Sequence, residues 1–420
     1  MKKITLTIIL LLFTFSLASC GLIGGQTTTK EDPTETTTVN YDDFIEINTV
    51  DELQAIEMNK SYRLMNNLDL TDVEWTPLGT SSDSYKGNFD GNGYEIINLS
   101  ITTDNLYNGL FGYVEGNIYD LKVINAFINI DADFITYAGF IAGYSNGDIT
   151  GCRTSGMMQV ENEDFASYLG LVVGFTQGKL DDTTLVDEFE PNLIDDNYVH
   201  GEIELIEGEL GFVGGIAGKT YNTTVSNNVS LVDLDVTTGT YPVYIGGLIG
   251  HNYGGLLKPF SDLVDDVNIY IENNITASTI NVAVTNSDVS VGGFIGYNMK
   301  GYNRDNYVES NIDVTEETTS VTNDYVIKIG GYFGEGWESQ VEDVIINTTA
   351  DLTTPDTTSN YATGALAGED YLEFEPIRVY LVTPSSFSSG DLLTGSESEL
   401  LVSSFYTTLG WPIDFLDILP

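Results

Sequence analysis

The feature that most limits the fold of this chain is a short glycine motif that occurs eight times. Each copy has a glycine near its start, two or three small or apolar residues, and a second glycine at its end, as in AGFIAG at 138–143. The spacings between successive final glycines are 31, 31, 44, 32, 46, 38 and 34 residues. Repeats of this length are typical of folds in which each unit buries its apolar face against its neighbours. The final glycines are Gly112, Gly143, Gly174, Gly218, Gly250, Gly296, Gly334 and Gly368.

The segments between the copies have the pattern of β-strands. Residues 118–130 and 267–284 alternate apolar residues with Asn, Asp or Thr, which is the period of a half-buried strand. One short helix is predicted, from Val50 to Met58, with Thr49 or Asp51 as its cap. We therefore predict an all-β solenoid whose coils stack about 4.8 Å apart. The longer spacings predict loops at 179–192, 254–266 and 302–326.

The first twenty residues have the order of a processing signal. Lys2 and Lys3 precede an apolar run at 4–15, which is too short for a stable membrane anchor. The following Leu-Ala-Ser-Cys, which ends at Cys20, resembles the lipobox of bacterial lipoproteins. That resemblance implies a signal peptide at 1–19, cleavage before Cys20 and acylation of this cysteine with chains such as palmitate. The alternative is an ordinary secretory signal with a chance cysteine.

A lipidated Cys20 would hold the chain on the extracellular face of the cell membrane, because several acyl chains on one residue anchor firmly. Residues 20–43 are rich in Thr and poor in apolar residues, so we expect a solvated tether there. The expected localisation is the cell membrane, with the protein anchored through lipid.

Composition limits the partners. The chain has 15 basic and 63 acidic residues, a net charge of −48, and loss of Lys2 and Lys3 would give 13 − 63 = −50. Such a charge argues against binding to nucleic acid. The acidity serves solubility or, alternatively, the binding of divalent cations or basic partners. Because Cys20 and Cys152 are the only cysteines, no intrachain disulfide is expected beside a lipidated Cys20, and Cys152 is predicted to be a buried structural thiol.

The repeat also carries a family resemblance. The segment GFIAGYSNGDITGC at 139–152 resembles the GLUG motif of bacterial surface proteins, and the segments at 47–56, 62–79 and 89–101 resemble the start of that family. Asn67 and Leu68 depart slightly from the family pattern, and 405–411 is similar to its closing segment. The resemblance implies a right-handed parallel β-helix. It divides the chain into an N-terminal cap and opening coil at 44–107, repeats at 108–370, and a C-terminal coil and cap at 371–420.

The turn Asp90-Gly91-Asn92-Gly93 stands directly before an apolar strand. Asn and Gly tolerate left-handed backbone dihedrals, so we predict a tight corner. An alternative interpretation is a surface Ca²⁺ site, the one cofactor that the sequence leaves open.

An enzyme is the main alternative to a binding protein, because β-helices of the pectin-lyase type act on polysaccharides. A glycosidase needs two carboxylates that face one groove, whereas adjacent strand residues point to opposite faces. A lyase usually needs a basic residue near Ca²⁺, and few arginines are available. The adjacent acid pairs are Asp181 with Asp182, Asp195 with Asp196, and Asp265 with Asp266; the arginines are Arg63, Arg153, Arg304 and Arg378.

GLUG repeats also occur in IgA-specific metallopeptidases. This sequence has two histidines, His200 and His251, and lacks the His-Glu-x-x-His motif, so that zinc site cannot be built. Both histidines are predicted to lie at turns or on the surface. No catalytic residues are assigned.

Aromatic residues follow several glycine motifs: Tyr253, Tyr297, Tyr302 and Trp337. They could stack on sugar rings or contact a protein partner, or they could pack against the neighbouring coil. We predict a monomeric, non-catalytic β-helix for adhesion, for binding a glycan or extracellular protein, or for a structural role. The alternative is a polysaccharide-degrading glycoside hydrolase or lyase. Three or more acids in one groove with aromatic walls would favour the enzyme.

Overall fold

The chain folds into a right-handed parallel β-helix, as predicted. A computed structural model describes residues 43–381, apart from 103, 179–190, 208, 255–268, 318–324, 354–359 and 372–376. Three sheets run along the axis, and each strand pairs in parallel with equivalent strands of the coils before and after it. One coil contains a long strand of the first sheet, one strand each of the second and third sheets, and a short return strand of the first sheet.

The first sheet has twenty strands. Those of the cap and opening coil are β1 (Ile45–Ile47), β2 (Tyr62–Leu64), β3 (Leu68–Asp69), β4 (Phe89–Asp90), β5 (Glu95–Ile97) and β6 (Ser100–Ile101). The long strands are β10 (Lys122–Asp131), β14 (Arg153–Asn162), β18 (Tyr198–Glu207), β22 (Val229–Thr237), β26 (Ile275–Val284), β30 (Tyr307–Glu316) and β33 (Gln340–Thr353). The remaining strands are β9 (Ile118–Tyr119), β13 (Ile149–Thr150), β17 (Asn192–Asp195), β21 (Thr223–Ser226), β25 (Tyr270–Glu272), β29 (Tyr302–Arg304) and β36 (Ile377–Leu381).

The second and third sheets have eight strands each. The second sheet contains β7 (Tyr107–Asn108), β11 (Thr136–Ala138), β15 (Ser167–Gly170), β19 (Gly211–Gly214), β23 (Val243–Gly246), β27 (Val289–Gly292), β31 (Val326–Gly330) and β34 (Asn360–Gly364). The third contains β8 (Phe111–Val114), β12 (Ala142–Ser145), β16 (Val173–Gln177), β20 (Ala217–Tyr221), β24 (Ile249–Tyr253), β28 (Ile295–Met299), β32 (Phe333–Trp337) and β35 (Ala367–Tyr371).

The predicted helix is present but shorter than expected. Helix α1 spans Val50–Gln54, and Thr49, rather than Asp51, is its N-cap. The backbone N–H of Glu52 donates to the Thr49 hydroxyl, and the Glu52 carboxylate accepts from the backbone N–H of Thr49, which together form a capping box.

The glycine motif joins the second sheet to the third, and its glycines allow neighbouring backbone segments to approach closely. A Cβ added to Gly246 would lie 2.1 Å from the carbonyl oxygen of Ile249, and one added to Gly250 would lie 2.5 Å from the backbone nitrogen of Val213. Among the described residues, positive φ at corners falls mainly to Asn and Asp, which are eleven of the thirteen non-glycine residues with positive φ.

The interior contains a polar ladder as well as stacked aliphatic rows. Asn197, Asn228, Asn274 and Asn306 occupy equivalent positions in four successive coils and are fully or almost fully buried. The backbone N–H and side-chain amide of Asn228 both donate to the Asn274 side-chain oxygen at 3.0 Å. Cys152 takes the preceding position and donates its backbone N–H to Asn197 at 2.9 Å. A buried amide in each coil therefore helps to fix the register between coils.

The turn at Asp90 is the predicted tight corner. Asn92 has φ of 50° and Gly93 has φ of 72°. The Asp90 carboxylate lies 2.9 Å from Nε of Arg63 and also accepts from the backbone N–H of Asn92 at 2.7 Å. Because Asp90 is paired with a guanidinium, its charge is already neutralised at the place where the alternative interpretation put Ca²⁺.

One predicted loop is wrong in most of its length. Residues 302–326 contain strands β29 and β30, which pair with β25 and β26 of the preceding coil. The two other predicted loops lie mainly outside the described residues, as do Cys20, the signal and tether segment before 43, and the chain after 381. In the part of the chain that the structure describes, no helix is long and apolar enough to cross a membrane.

Candidate functional site

A groove runs along the outer face of the long strands, parallel to the helix axis. It has a volume of about 480 Å³ and extends from β18 to β33. The register of these strands places its outward side chains in three rows. The floor row is His200, Leu231, Ala277, Glu309 and Asn347; one wall contains Ile275 and Tyr307; and the other contains Asp233, Thr279, Asn311 and Thr349.

The centre of the groove floor is apolar. Leu231 points outward, yet only 9% of its surface is exposed, and Ala277 beside it is half-buried. On the polar wall, the Thr349 hydroxyl donates to the Asn311 side-chain oxygen at 2.6 Å. The groove therefore offers apolar contact at its centre and hydrogen-bonding groups along one side.

The glycine motifs of successive coils form a row along the axis, which we call the glycine seam. Small hydroxyl residues beneath the floor bring the long strands close to it. The Ser230 hydroxyl donates to the carbonyl oxygen of Gly247 at 2.7 Å. A Cβ at Gly247 would lie 2.8 Å from the hydroxyl oxygen of Ser278. Because these inner side chains are short and face glycines, the coil is narrow behind the floor, and this narrowing favours a concave outer face there.

Several polar groups of the groove are not used by the protein itself. Thr279, Asn347 and His200 make no side-chain hydrogen bond or ion pair within the described parts of the chain. Asn311 accepts a hydrogen bond, but its amide nitrogen donates none to those residues. Unused donors and acceptors on a rigid sheet are suited to a ligand, because binding satisfies them with little further ordering.

The groove is acidic. Asp233 and Glu309 are its two carboxylates, and none of the sixteen lining residues is Lys or Arg. Glu202 is the register partner of Asp233 on the neighbouring strand. Burial raises the pKa of the Glu202 carboxyl, and the nearby charges of Asp235, Asp233 and Glu204 raise it further. Like charges thus accumulate along this end of the groove.

A second surface contains Tyr297, one of the four aromatic residues singled out from the sequence. We call it the aromatic ladder, and it consists of two neighbouring rows on the second and third sheets. The rows are Tyr107, Tyr137, Tyr168, Phe212 and Tyr244, and Tyr113, Tyr144, Phe175, Lys219, His251 and Tyr297.

The rings of the ladder stack on each other. Tyr113 and Tyr144 have centroids 4.4 Å apart, and Tyr297 lies 4.8 Å from His251 with the rings almost parallel. The same holds outside the ladder, where Tyr253 lies 5.0 Å from Tyr221. Because ring faces are covered by neighbouring coils, Tyr253 and Tyr297 are packing residues rather than free platforms for sugars.

Two further aromatic residues complete this comparison. Tyr302 on β29 lies 5.5 Å from Tyr270 of the preceding coil. Trp337 ends β32, where its backbone is in register with Met299. All four aromatic residues singled out from the sequence therefore belong to strands, and the three tyrosines contact rings of the preceding coil.

The positions predicted for the histidines are wrong in part. His200 is exposed, as expected, but it lies within strand β18 and not in a turn. His251 lies on β24 inside the aromatic ladder, and both of its ring nitrogens are buried without a hydrogen-bond partner. Burial lowers the pKa of His251 to about 3, with a smaller effect from the charge of Lys219. His251 is therefore a neutral packing residue.

The described acid pair, Asp195 with Asp196, does not line the groove. Asp195 accepts hydrogen bonds from Ser226 and Asn227, both at 2.7 Å, and Asp196 occupies a left-handed corner with φ of 53°. The other two pairs lie outside the described residues. Among the described residues, no group of three or more His, Cys, Asp or Glu could hold a metal ion.

Cys152 is a buried structural thiol, as predicted. Its side chain has no exposed surface, and burial raises its pKa to about 12. The groove residues themselves were missed by sequence reasoning. The signal that could have found them is the register of the repeats, because aligned long strands bring Leu231, Ala277 and Glu309 into one row.

Comparisons with known proteins give limited likenesses. No protein family model matches the sequence. Halomucin from Haloquadratum walsbyi is 30% identical over 156 residues, which cover 31% of this chain but 2% of halomucin. The crystal structure of a "putative immunoglobulin A1 protease" from Bacteroides ovatus aligns with a TM-score of 0.42 and 14% identity, covering 80% of this chain and 84% of that one. The function therefore has to be inferred from the groove and its side chains.

Proposed function

We propose that this chain is a surface lipoprotein, anchored through Cys20, whose β-helix binds an extended ligand without catalysing a reaction. The observation that carries the proposal is the axial groove, which combines an apolar floor with unused polar groups on a rigid sheet. A groove along stacked strands suits a linear ligand, because each coil adds similar contacts at a regular spacing. We expect the protein to act as a monomer on the outer face of the membrane.

Binding is tested by filling the groove. Ala277→Trp places a large side chain on the floor, whereas Ala283→Trp adds the same side chain to an outward position of strand β26 beyond the groove. We expect the full chain to retain a protein or glycan from an extracellular-matrix and glycan screen. Ala277→Trp should abolish this binding and Ala283→Trp should leave it intact. Equal binding by both variants would place the ligand elsewhere.

Anchoring is tested separately. Cys20→Ala removes the thiol that would carry the lipid, so the protein should move from the membrane fraction to the medium. Persistence of the variant in the membrane fraction would show that another feature holds it there.

A polysaccharide-degrading enzyme is the second candidate, favoured by the two carboxylates in the groove. Asp233 and Glu309 lie two strands apart, about 10 Å along the axis, and are also offset along the strand. Inverting glycosidases hold their carboxyls about 6.5–9.5 Å apart around a water molecule. A reducing-sugar release assay distinguishes the candidates, and release that is lost in Asp233→Asn would establish the enzyme.

A further inference from the structure

We propose that the ligand of the groove is an extended peptide segment that carries Lys or Arg side chains. This inference rests on the binding function proposed above and adds the chemistry of the ligand to it. Three features support this ligand class: the length of the groove, its apolar centre, and two carboxylates that form no ion pair with the described residues.

The dimensions fit a short extended peptide. The groove crosses five long strands, from β18 to β33, which gives a length of roughly 19 Å at the usual spacing of strands. An extended chain covers this distance with about six residues. Leu231 and Ala277 on the floor are placed to contact the methylene groups of long basic side chains, which bury their stems and keep the charged end near polar groups.

The charges select a cation. Asp233 makes no hydrogen bond or ion pair within the described residues, and Glu309 accepts from the Tyr307 hydroxyl at 3.1 Å. The ion pairs of the described residues join acids away from the groove, such as Glu335 with Lys328 and Glu272 with Arg304. Within that part of the chain, the groove carboxylates therefore lack an internal counter-charge.

The spacing of the carboxylates sets the spacing of the basic side chains. Asp233 and Glu309 are separated by about 10 Å along the axis, which corresponds to about three residues of an extended polyproline II chain, in which side chains three residues apart lie on the same side. Thr279, Asn311 and Asn347 lie between or beside them and could bond to peptide N–H and C=O groups. A neutral glycan could use the same polar groups, but it would cover the exposed carboxylates of Asp233 and Glu309 without supplying an opposite charge.

The test uses two double variants of equal charge. Asp233→Asn with Glu309→Gln removes the groove carboxylates, whereas Asp235→Asn with Asp313→Asn removes two acids from the same two strands outside the groove. The probes are a ten-residue peptide with Lys at positions 4 and 7, the same peptide with Glu at both positions, and a neutral linear glucan hexasaccharide. Affinity is measured on the full chain in detergent at physiological salt.

We expect the Lys peptide to bind the native chain and the Glu peptide not to bind. The groove double variant should weaken binding of the Lys peptide by about tenfold or more, and the control double variant by less than about threefold. Equal weakening by both variants would overturn the inference, because it would show that overall negative charge attracts the peptide. A second outcome is that the glucan binds, and that this binding is unchanged in the groove double variant but lost in Ala277→Trp. The inference of a peptide ligand would then be overturned, and the binding function would stand. If Ala277→Trp binds the probes as well as the native chain does, the binding function itself is overturned.

Discussion

The groove and the aromatic ladder are built in the same way, from outward side chains of strands stacked in register, yet they differ in what those side chains do. In the ladder, each ring covers its neighbours, as Tyr137 does with Tyr168 at 4.6 Å. In the groove, Thr279 and Asn347 have no side-chain partner in the described residues. The difference teaches that a repetitive scaffold can assign one face to stability and another to binding by choosing whether equivalent residues satisfy each other.

At one end of the ladder, charged side chains that contact each other take the place of the stacked rings. Glu335 takes the position of Tyr297 in the next coil, and Lys328 takes the position of Tyr244 two coils later. The ammonium of Lys328 lies 2.6 Å from the Glu335 carboxylate and 2.7 Å from that of Glu369. One ammonium thus bridges two carboxylates, so this end of the ladder is also held by contacts within the protein. The groove is the contrasting case.

The largest expected effect comes from the glycine seam that supports both surfaces. Gly246→Ala would place a Cβ 2.1 Å from the Ile249 carbonyl oxygen, a backbone atom that cannot move aside cheaply. We expect the free energy of unfolding to fall by more than about 3 kcal/mol in chemical denaturation. Gly93→Ala is the control, because its φ is 72° but its Cβ would meet open space, and it should cost about 1 kcal/mol. A similar small loss in both variants would mean that the seam does not require close approach.

The second effect concerns the ladder and depends on pH. Burial lowers the pKa of His251 to about 3, well below the value of about 6.5 in an unfolded chain. Below pH 6.5 the unfolded chain binds a proton at this histidine that the folded chain does not bind. The contribution of neutral His251 to stability is therefore fully present above that pH and falls as the pH drops toward 3. The slope should reach about 1.4 kcal/mol per pH unit. His251→Phe keeps a ring in the stack and should remove this component from denaturation curves measured between pH 7 and 4; an unchanged slope would contradict the burial.

How far the sequence predicts this molecule depends on whether a feature is local or spans coils. The glycine repeat and the strand alternation predict the β-helix, because both follow from periods read along the chain, whereas the inward position of Cys152 was implied by the family resemblance. The ladder position of His251 was missed, since two of the three rings that contact it, Phe212 and Tyr297, lie 39 and 46 residues away in neighbouring coils. Tyr307–Glu316 was taken for a loop because its coil, with a spacing of 38 residues, is longer than the shortest coils of 31, although its own alternation is regular. The groove was not predicted, because its rows of side chains depend on the register of five long strands that are unequally spaced in the sequence.

The third prediction sets one tyrosine of each surface against the other. Tyr144 contacts four rings and donates to the Gln177 side chain at 2.9 Å, so Tyr144→Ala should lower the free energy of unfolding by about 2 kcal/mol and leave ligand binding unchanged. Tyr307 is half-buried in the groove wall, so Tyr307→Ala should cost less than about 1 kcal/mol and weaken binding. Denaturation and affinity measured on both variants test the assignment. Equal loss of stability would remove the distinction between the two surfaces.

The smallest expected effect lies beside the groove, where like charges are held near each other without a cation. Burial and the charges of Asp235, Asp233 and Glu204 raise the pKa of Glu202, so its carboxylate is less favourable in the folded chain than in the unfolded one. The penalty exists at neutral pH and disappears as the pH falls, because the folded chain then takes up the proton first. Glu202→Gln should therefore stabilise the protein at pH 7 by at most about 0.5 kcal/mol, since solvent screens these charges, and should have no effect below about pH 4. Glu161→Gln on strand β14 removes an exposed carboxylate away from the groove and should be neutral at both pH values. If Glu202→Gln instead destabilises the protein at pH 7, the acidic side of the groove is already satisfied, and it resembles the ladder rather than a surface that awaits a cationic ligand.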